Sequence, residues 1–336
     1  MGKIIGSQSI EFSNPPVIVG YASIAGPKEG KGLLGEYFDQ VLDDVLWGEE
    51  TWEKAETKLQ KEVAKMAVQK SNLTMDDIRY IYAGDLLSQL IATSFAVRDL
   101  QRPLFGLYGA CSTMGESLQL ASMCIDGGFA DYTLAISSSH FCGAEKEFRY
   151  PLEFGNQRPP TATWTVTGSG GIVLGRQGKG PRVTHITPGK VIDYGIKDPM
   201  NMGACMAPAA VDTIYQHLKD LGRTADDYDV IATGDLGVVG KSLAKKMLLE
   251  KGYEMKNNFT DCGIEIFASA TQDTHAGGSG CGCSAVTLTG YYLKKIEAGE
   301  LNRIMIVPTG ALLSPVSSNE GESVPGIAHA VVIENC

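Results

Sequence analysis

The chain has 336 residues, of which 43% are hydrophobic and 20% are charged, a composition typical of a soluble globular protein. This length predicts two domains or one duplicated domain, and the net charge of -10 argues against a nucleic-acid or anionic-lipid surface spread over the whole protein. No run approaches the ~20 apolar residues of a membrane span, and the first residues lack the apolar core of a secretory signal.

The chain contains eight cysteines, and without a signal peptide they indicate a reducing compartment and free thiols. Cys281 and Cys283 are separated by one glycine, which is too close for a zinc-binding pair, and no CxxC motif occurs. We therefore predict no metal site.

The first part of the chain alternates predicted strands and helices. Residues 16–21 are expected to form a strand, and a Gly/Lys-rich loop follows at 26–35. From Trp52 to Ala67, apolar residues recur at intervals of three and four, which predicts an amphipathic helix. The next predicted strand, 80–83, ends at Gly84-Asp85.

Between Tyr108 and Gly115, a cysteine, Cys111, lies among small residues. Residues 102–108 predict a short buried strand, and the apolar spacing after Cys111 predicts a helix that ends at Gly127. A helix N-terminus favours a thiolate or a bound anion, because its unpaired N–H groups and dipole attract negative charge. The same position also suits a structural cysteine, so both interpretations stay open.

In the second half, the apolar spacing from Ala209 to Leu221 predicts a helix. The segment after this helix repeats one in the first half at a fixed offset of 150 residues. Seven residues match in register, which is more than chance supplies. The matching pairs are Thr74 and Thr224, Asp76-Asp77 and Asp226-Asp227, Ile81 and Ile231, and Gly84-Asp85-Leu86 and Gly234-Asp235-Leu236.

A second correspondence extends this repeat. Cys111 opens a predicted helix before the strand 132–136, and Cys283 opens one before the strand 304–307. We therefore predict one α/β unit used twice, at about 1–178 and 182–336, with mostly parallel sheets and right-handed crossovers. Ligands of such sheets bind beyond the carboxyl ends of strands, so we expect Cys111, Asp85, Asp235 and the loop 277–283 to lie near one place.

A duplicated βαβαβαββ unit with a cysteine opening a helix resembles the thiolase and ketoacyl-synthase superfamily. Within it, three motifs resemble the stage V sporulation protein AD family of endospore-forming bacteria. They are Gly109-Ala-Cys-Ser-Thr-Met-Gly-Glu116, Arg158-Pro-Pro-Thr-Ala-Thr-Trp-Thr-Val-Thr-Gly-Ser-Gly170 and His275-Ala-Gly-Gly-Ser-Gly-Cys-Gly-Cys-Ser284. The resemblance covers essentially the whole chain and implies a five-layer αβαβα fold and a C2 homodimer.

The same resemblance implies a function. It implies a non-catalytic protein that binds dipicolinate, pyridine-2,6-dicarboxylate, with calcium to offset its charge. It also implies that the protein supports uptake of that compound into the developing spore together with membrane proteins of the same sporulation system. The resemblance thus implies a location peripheral to the inner spore membrane, and no cofactor.

The residues of the second-half loops indicate whether Cys111 is still catalytic. Condensing enzymes of the superfamily pair the cysteine with two His, or with His and Asn, on second-half loops. Here the corresponding loop carries Asp235 and no His, and a carboxylate raises the pKa of a neighbouring thiol. The absence of this His favours a protein that binds its ligand without converting it. Two alternatives stay open: acyl transfer or condensation on an acyl thioester by Cys111 with His275, and a scaffold with a vestigial pocket.

The predicted ligand-binding residues combine the Cys111 position with the second-half loops, whose glycines let N–H groups turn toward an anion. They are Cys111, His140, Asp235, His275, Ser279, Cys281 and Cys283. Structural alternatives remain: N-capping for Asp85 and Asp235, loop capping for His275, and a surface turn for His140. Further candidates for positive charge at the ligand are Arg149 and Arg158, whereas His329 is expected in the core.

Overall fold

The computed structural model describes residues 2–148 and 158–335. Most of the strands belong to one large sheet system. The strands are β1 (Lys3–Ile5), β2 (Ser9–Glu11), β3 (Val17–Ala25), β4 (Gln40–Val41), β5 (Tyr80–Gly84), β6 (Leu104–Gly106), β7 (Tyr132–Ser139), β8 (Trp164–Thr165), β9 (Gly168–Gly175), β10 (Arg182–Thr187), β11 (Val230–Thr233), β12 (Phe259–Asp261), β13 (Gly278–Ser279), β14 (Arg303–Val307), β15 (Thr309–Ala311), β16 (Gly326–Ala328) and β17 (Ala330–Glu334).

Helices connect these strands and cover both faces of the sheets. They are α1 (Pro27–Gly30), α2 (Trp52–Lys70), α3 (Ile91–Leu100), α4 (Thr113–Asp126), α5 (Phe141–Phe148), α6 (Met202–Leu221), α7 (Gly237–Glu250), α8 (Cys262–Ile266), α9 (Ser269–Gln272), α10 (Cys281–Thr287), α11 (Leu293–Glu297) and α12 (Pro315–Asn319). A π-helical turn, Leu288–Tyr292, joins α10 to α11. Among the described residues, no helix is long and apolar enough to cross a membrane.

The sheet shows the duplication directly. Its hydrogen-bonded order is β12-β11-β14-β17-β10-β3-β9-β7-β5-β6. Each half contributes five strands to this path, and counted outward from the middle they follow the chain order first, fifth, fourth, second, third. Along this path the halves meet where Arg182 of β10 pairs with Val17 of β3, and β2 of the first half also pairs with β10. The exact domain boundaries, at about 178 and 182, stay a prediction.

The prediction of mostly parallel sheets is wrong. In the first half, β5 pairs in parallel with β6 and β7, but β9 lies antiparallel between β7 and β3. The second half repeats this pattern, with β17 antiparallel to both β14 and β10. The final strand of each half therefore returns beside the first strand in the opposite direction, which strand–helix alternation alone does not reveal.

Three hydrophobic clusters divide the molecule into five layers. The outer face of the first-half sheet packs on α2 and α3, and the outer face of the second-half sheet packs on α6 and α7. The central cluster joins α4, α10 and α11 to both sheets. Strand β14 shows why: Ile304 and Ile306 face the central layer, while Met305 and Val307 face α6 and α7, as the two-residue period of a strand requires.

Three predicted elements differ in the structure. The strand predicted at 102–108 is the three-residue edge strand β6, and its Phe105 is 49% exposed rather than buried. The helix predicted to start at Ala209 begins at Met202, capped by Asn201 and carrying Pro208 inside. Helix α10 begins at Cys281, so Cys283 lies in its first turn and does not open it.

The repeated Thr-x-x-Asp segments form the same local structure in both halves. Thr74 and Asp77 form a capping box around a short 3-10 helix, and Thr224 and Asp227 form the equivalent one. The sequence match at an offset of 150 residues therefore corresponds to matched backbone geometry before β5 and β11.

Candidate functional site

Cys111 lies in a tight turn immediately before α4. Ala110 has a left-handed φ of 48°, and a short 3-10 helix, Ala110–Ser112, leads into the first turn of α4. The Ser112 hydroxyl donates to the Gly109 carbonyl oxygen at 2.6 Å, and the Thr113 hydroxyl donates to the Ala110 carbonyl oxygen at 2.7 Å. These local bonds hold the Cys111 thiol at the helix start, as the sequence predicted.

Asp235 follows β11 and is fully buried beneath the Cys111 turn. Its Oδ1 accepts a hydrogen bond from the Thr309 hydroxyl at 2.7 Å. Its Oδ2 accepts one from the Ser279 hydroxyl at 2.7 Å and one from the Gly280 N–H at 3.1 Å. The structure contradicts the N-cap alternative for Asp235, because the N–H groups of Leu236 and Gly237 donate to Asp261 instead.

The equivalent acid of the first half has a different environment. Asp85 accepts hydrogen bonds from the backbone N–H groups of Leu87 and Thr93 and from the Thr93 hydroxyl. It thus binds the beginning of α3, a structural role, and does not face Cys111. The two halves have diverged at this one matched position.

Ser279 links the thiol to the carboxylate. Its Oγ lies 3.9 Å from Cys111 Sγ. Because the Ser279 hydroxyl donates to Asp235, its oxygen is left to accept from the Cys111 thiol. Cys111, Ser279, Asp235 and Thr309 therefore form one buried chain of hydrogen-bonding groups.

The electrostatics of this chain favour a protonated thiol. Burial raises the pKa of Cys111 well above its usual value, and the negative charge of Asp235 raises it further. Burial also raises the pKa of Asp235, opposed by the hydrogen bonds from Thr309 and Ser279. Asp261, a second buried acid nearby, has its pKa raised to about 7, first by burial and also by the charge of Asp235.

A pocket of about 430 Å³ opens above Cys111 and Ser279. Its walls are mainly apolar, and among the described residues no Lys, Arg or His lines it. The lining residues are Leu86, Tyr108, Ala110, Cys111, Ala144, Glu145, Phe148, Thr165, Met202, Ser279, Ala311 and Leu313. A shallower cavity of about 700 Å³ adjoins it and shares Leu86, Tyr108, Phe148 and Leu313.

Two of the predicted histidines lie away from this pocket. His140 is buried, and its Nε2 is 2.8 Å from the Val45 carbonyl oxygen. His275 Nδ1 is 2.8 Å from the Pro159 carbonyl oxygen, and its Nε2 is 2.9 Å from Asp273 Oδ1. Both rings bind backbone or neighbouring loop groups, so the structure does not bring either imidazole to Cys111.

Of the remaining predicted residues, some lie near Cys111 and others lie away from the pocket. Cys281 Sγ lies 3.0 Å from the Ala110 carbonyl oxygen, directly behind the Cys111 turn, and Cys283 Sγ lies 3.4 Å from the Gly234 carbonyl oxygen in the core. Arg158 pairs with Asp273 instead of lining the pocket. Arg149 lies outside the described residues. The structure thus assembles Cys111, Asp235 and Ser279, with Cys281 behind them.

Sequence reasoning missed several groups of the pocket. Thr165 and Tyr108 line it, and neither of their hydroxyls has a hydrogen-bond partner among the described residues. Thr165 stands in the Pro-rich motif that carried the family resemblance, which was the available signal. Nothing local marks Met202, which reaches the pocket from the unpredicted first turns of α6, or Thr309, which holds Asp235.

We expect Cys111 to react slowly with iodoacetamide, and we expect Asp235→Asn to accelerate it. Removing the neighbouring charge lowers the thiol pKa, and each pKa unit is worth about tenfold in thiolate fraction at neutral pH. Peptide mass spectrometry at timed intervals measures the rate, with the half-exposed Cys142 of the same chain as internal reference. Alkylation of Cys111 faster than Cys142 in the unmodified protein would contradict a protonated, buried thiol.

Comparison with known proteins identifies the family. The model for stage V sporulation protein AD matches residues 6–334 of this chain. The chain belongs to the stage V sporulation protein AD family. It is 47% identical over 332 residues to stage V sporulation protein AD of Bacillus subtilis (strain 168), covering 99% of this chain and 98% of the relative. The chain is therefore a sporulation protein.

Solved structures place this family member in the thiolase-like fold. A crystal structure of a single-residue variant of OleA from Xanthomonas campestris matches with a TM-score of 0.61 and 15% identity, covering 96% of this chain and 99% of that one. The 3-oxoacyl-[acyl-carrier-protein] synthase III of Aquifex aeolicus VF5 matches with a TM-score of 0.58 and 14% identity, covering 95% and 99%. At these identities the likeness establishes the five-layer αβαβα fold alone.

Proposed function

We propose that this sporulation protein is non-catalytic and binds dipicolinate as its calcium complex in the pocket above Cys111. In this proposal it supports uptake of dipicolinate into the developing spore, together with membrane proteins of the same sporulation system. The observation that carries the proposal is that Cys111 faces a carboxylate, Asp235, through the Ser279 hydroxyl, and not an imidazole.

The neighbours of Cys111 support binding without turnover. Acyl transfer by a cysteine requires a base that accepts its proton and donors that stabilise the oxyanion. Burial and Asp235 instead raise the pKa of the Cys111 thiol. The imidazoles of His140 and His275 are bound elsewhere, to Val45 and to Pro159 and Asp273.

The pocket walls suit a small planar aromatic ligand. Leu86, Phe148, Met202 and Leu313 provide apolar surface for a pyridine ring. The hydroxyls of Thr165 and Tyr108 have the capacity to donate to carboxylate oxygens. Hard oxygen ligands are those that calcium prefers, so dipicolinate supplies part of the coordination itself.

Charge favours the calcium complex over the free dianion. Among the described residues the pocket wall carries no cationic side chain, and it includes the carboxylate-bearing Glu145. The described part of the chain contains no group of three or more His, Cys, Asp or Glu side chains placed to hold a metal ion. In the proposal, calcium therefore enters with the ligand, whose two negative charges it neutralises.

Titration of the purified protein with dipicolinate, with and without calcium, tests the proposal. We expect saturable binding that is tighter with calcium. Thr165→Val should weaken it by about 1 kcal/mol, or about fivefold in Kd, because one hydrogen bond to the ligand is lost. Thr57→Val on α2, away from the pocket, is the matched control. Absence of saturable binding in both conditions would remove the proposal.

A second candidate is an enzyme that acts on acyl thioesters. The position of Cys111 at the start of α4, inside a pocket, and the synthase fold favour it. Incubation with acyl-CoA followed by mass spectrometry of the Cys111 peptide separates the two candidates. A covalent acyl adduct is expected only for the enzyme, and Cys111→Ala would abolish it.

We also propose a C2 homodimer that pairs the β6 edges of two copies. Strand β6 ends the sheet, and an unpaired edge with an exposed apolar side chain favours pairing with another strand. Phe105 on this strand is 49% exposed, and Ile91 and Phe95 of the adjacent α3 are exposed beside it. Sedimentation equilibrium measures the oligomeric state, and a monomer at all concentrations would exclude the homodimer.

A further inference from the structure

The lysines of α7 lack acidic partners among the described residues, unlike those of α2. Lys241, Lys245 and Lys246 stand on α7 against one acid, Glu250. None of the three forms an ion pair or a hydrogen bond with any described residue. By contrast, all five lysines of α2 are paired with acids: Lys54 with Glu50, Lys58 with Glu49, Lys61 with Asp99, Lys65 with Glu62 and Lys70 with Asp39.

Exposed aliphatic side chains alternate with these lysines. Val238 is 50% exposed and Leu249 is 60% exposed. Together with Lys241 and Lys245 they recur at spacings of three and four residues, so the four side chains share one side of the helix. We call these four residues the α7 face. The adjoining side of α7, with Ala244 and Leu248, is buried against α6, and Lys241 lies at the border between the two sides.

The positive charge extends onto the end of α6. Lys251, just after α7, has its ammonium 4.8 Å from the ring centroid of Tyr215, and Lys219 has its ammonium 5.5 Å from the same ring. Neither lysine forms an ion pair with a described residue. The three lysines of α7, together with Lys219 and Lys251, therefore make this part of the surface positively charged, although the chain as a whole has a net charge of -10.

We propose that the α7 face is a docking surface for an anionic lipid bilayer. Unpaired lysines are attracted to acidic headgroups, while exposed aliphatic side chains between them enter the boundary between headgroups and acyl chains. A polypeptide partner usually fills a groove, whereas this surface is a convex helix. The net charge confines lipid binding to this side and orients the molecule on the bilayer.

Co-sedimentation of the full chain with lipid vesicles tests this assignment at low salt. We expect binding to phosphatidylcholine vesicles that contain phosphatidylglycerol and none to phosphatidylcholine alone. The double variant Lys241→Glu/Lys245→Glu should lower the partition coefficient by at least about tenfold, since each lysine near an anionic surface contributes substantially. Lys54→Glu/Lys65→Glu on α2 makes the same charge change and should leave binding within about twofold.

The aliphatic side chains separate lipid from an acidic polypeptide as the occupant. Leu249→Ser should also weaken vesicle binding, whereas Leu33→Ser, at an equally exposed leucine elsewhere, should not. All six substituted positions are at least partly exposed, and circular dichroism confirms that each variant is folded. No binding to phosphatidylglycerol vesicles, or equal losses in the α2 and α7 variants, overturns the proposal. So does lysine-dependent binding to poly-glutamate that Leu249→Ser leaves unchanged.

Discussion

Gly310→Ala is expected to abolish dipicolinate binding and to lower the free energy of unfolding by about 3 kcal/mol, the upper end for overpacking a filled site. A methyl group at Gly310 would stand 2.2 Å from the Gly109 carbonyl oxygen and 3.1 Å from the Ser112 nitrogen. Both contacts are backbone atoms of the turn that carries Cys111. The turn has to move, because no flexible side chain is there to yield.

Urea unfolding and dipicolinate titration of Gly310→Ala measure the two effects. Gly143→Ala is the matched control, since it lies on α5 near the pocket and its new methyl group would meet its nearest atom, Leu87 Cδ2, at an ordinary 3.4 Å. That variant should be neutral or slightly more stable, because alanine is the better helix former. If Gly310→Ala bound ligand normally, the close packing of β15 on the Cys111 turn would not be required for the site.

Asp220→Ala is expected to lower the free energy of unfolding by about 3 kcal/mol, because several hydrogen bonds to one charged group are lost together. Asp220 accepts hydrogen bonds from the N–H groups of Ser7, Gln8 and Ser9, and from the side chains of Ser9 and Gln216. It thereby fastens the turn between β1 and β2 to the end of α6. Without it, residues 7–9 lose four hydrogen bonds to α6, while β2 still pairs with β10.

The effect of Asp220→Ala should depend on pH in a defined direction. Burial raises the pKa of Asp220, but the hydrogen bonds from Ser7, Ser9, Gln216 and Gln8 outweigh it, and the pKa lies below its usual value. A carboxyl group with a lowered folded pKa stabilises above its unfolded pKa, about 3.9, and loses this contribution as pH falls through the folded value. The difference between the two proteins should be constant from about pH 5 to 8 and shrink below about pH 4.

Urea midpoints across this pH range measure the difference, and hydrogen exchange of β1 and β2 locates it. Asp226→Ala is the matched control, since Asp226 is exposed and, among the described residues, pairs with Lys256 alone. Exposed pairs contribute about 0–1 kcal/mol, so this variant should change little. Equal destabilisation by both substitutions would show that the Asp220 contacts do not hold the N-terminal strands.

The internal repeat was the most informative feature of the sequence. It predicted two equivalent units, and both the strand order and the paired capping boxes at Thr74 and Thr224 show the equivalence. It did not predict the antiparallel strands β9 and β17. Their direction depends on pairing with β3 and β10, which are far away in the chain. A short apolar run does not reveal whether the strand it forms will pair in parallel or antiparallel.

The sequence by itself determined the fold, the family and the position of Cys111 at a helix start, because these follow from local spacing and from motifs. Only the tertiary structure decided which acid faces the cysteine. Asp85 and Asp235 are equivalent in sequence, but Asp235 is bound by Thr309 and Ser279, 74 and 44 residues away. Long-range partners fix where a side chain points, and so they turned His140 and His275 away and brought Thr165 to the pocket.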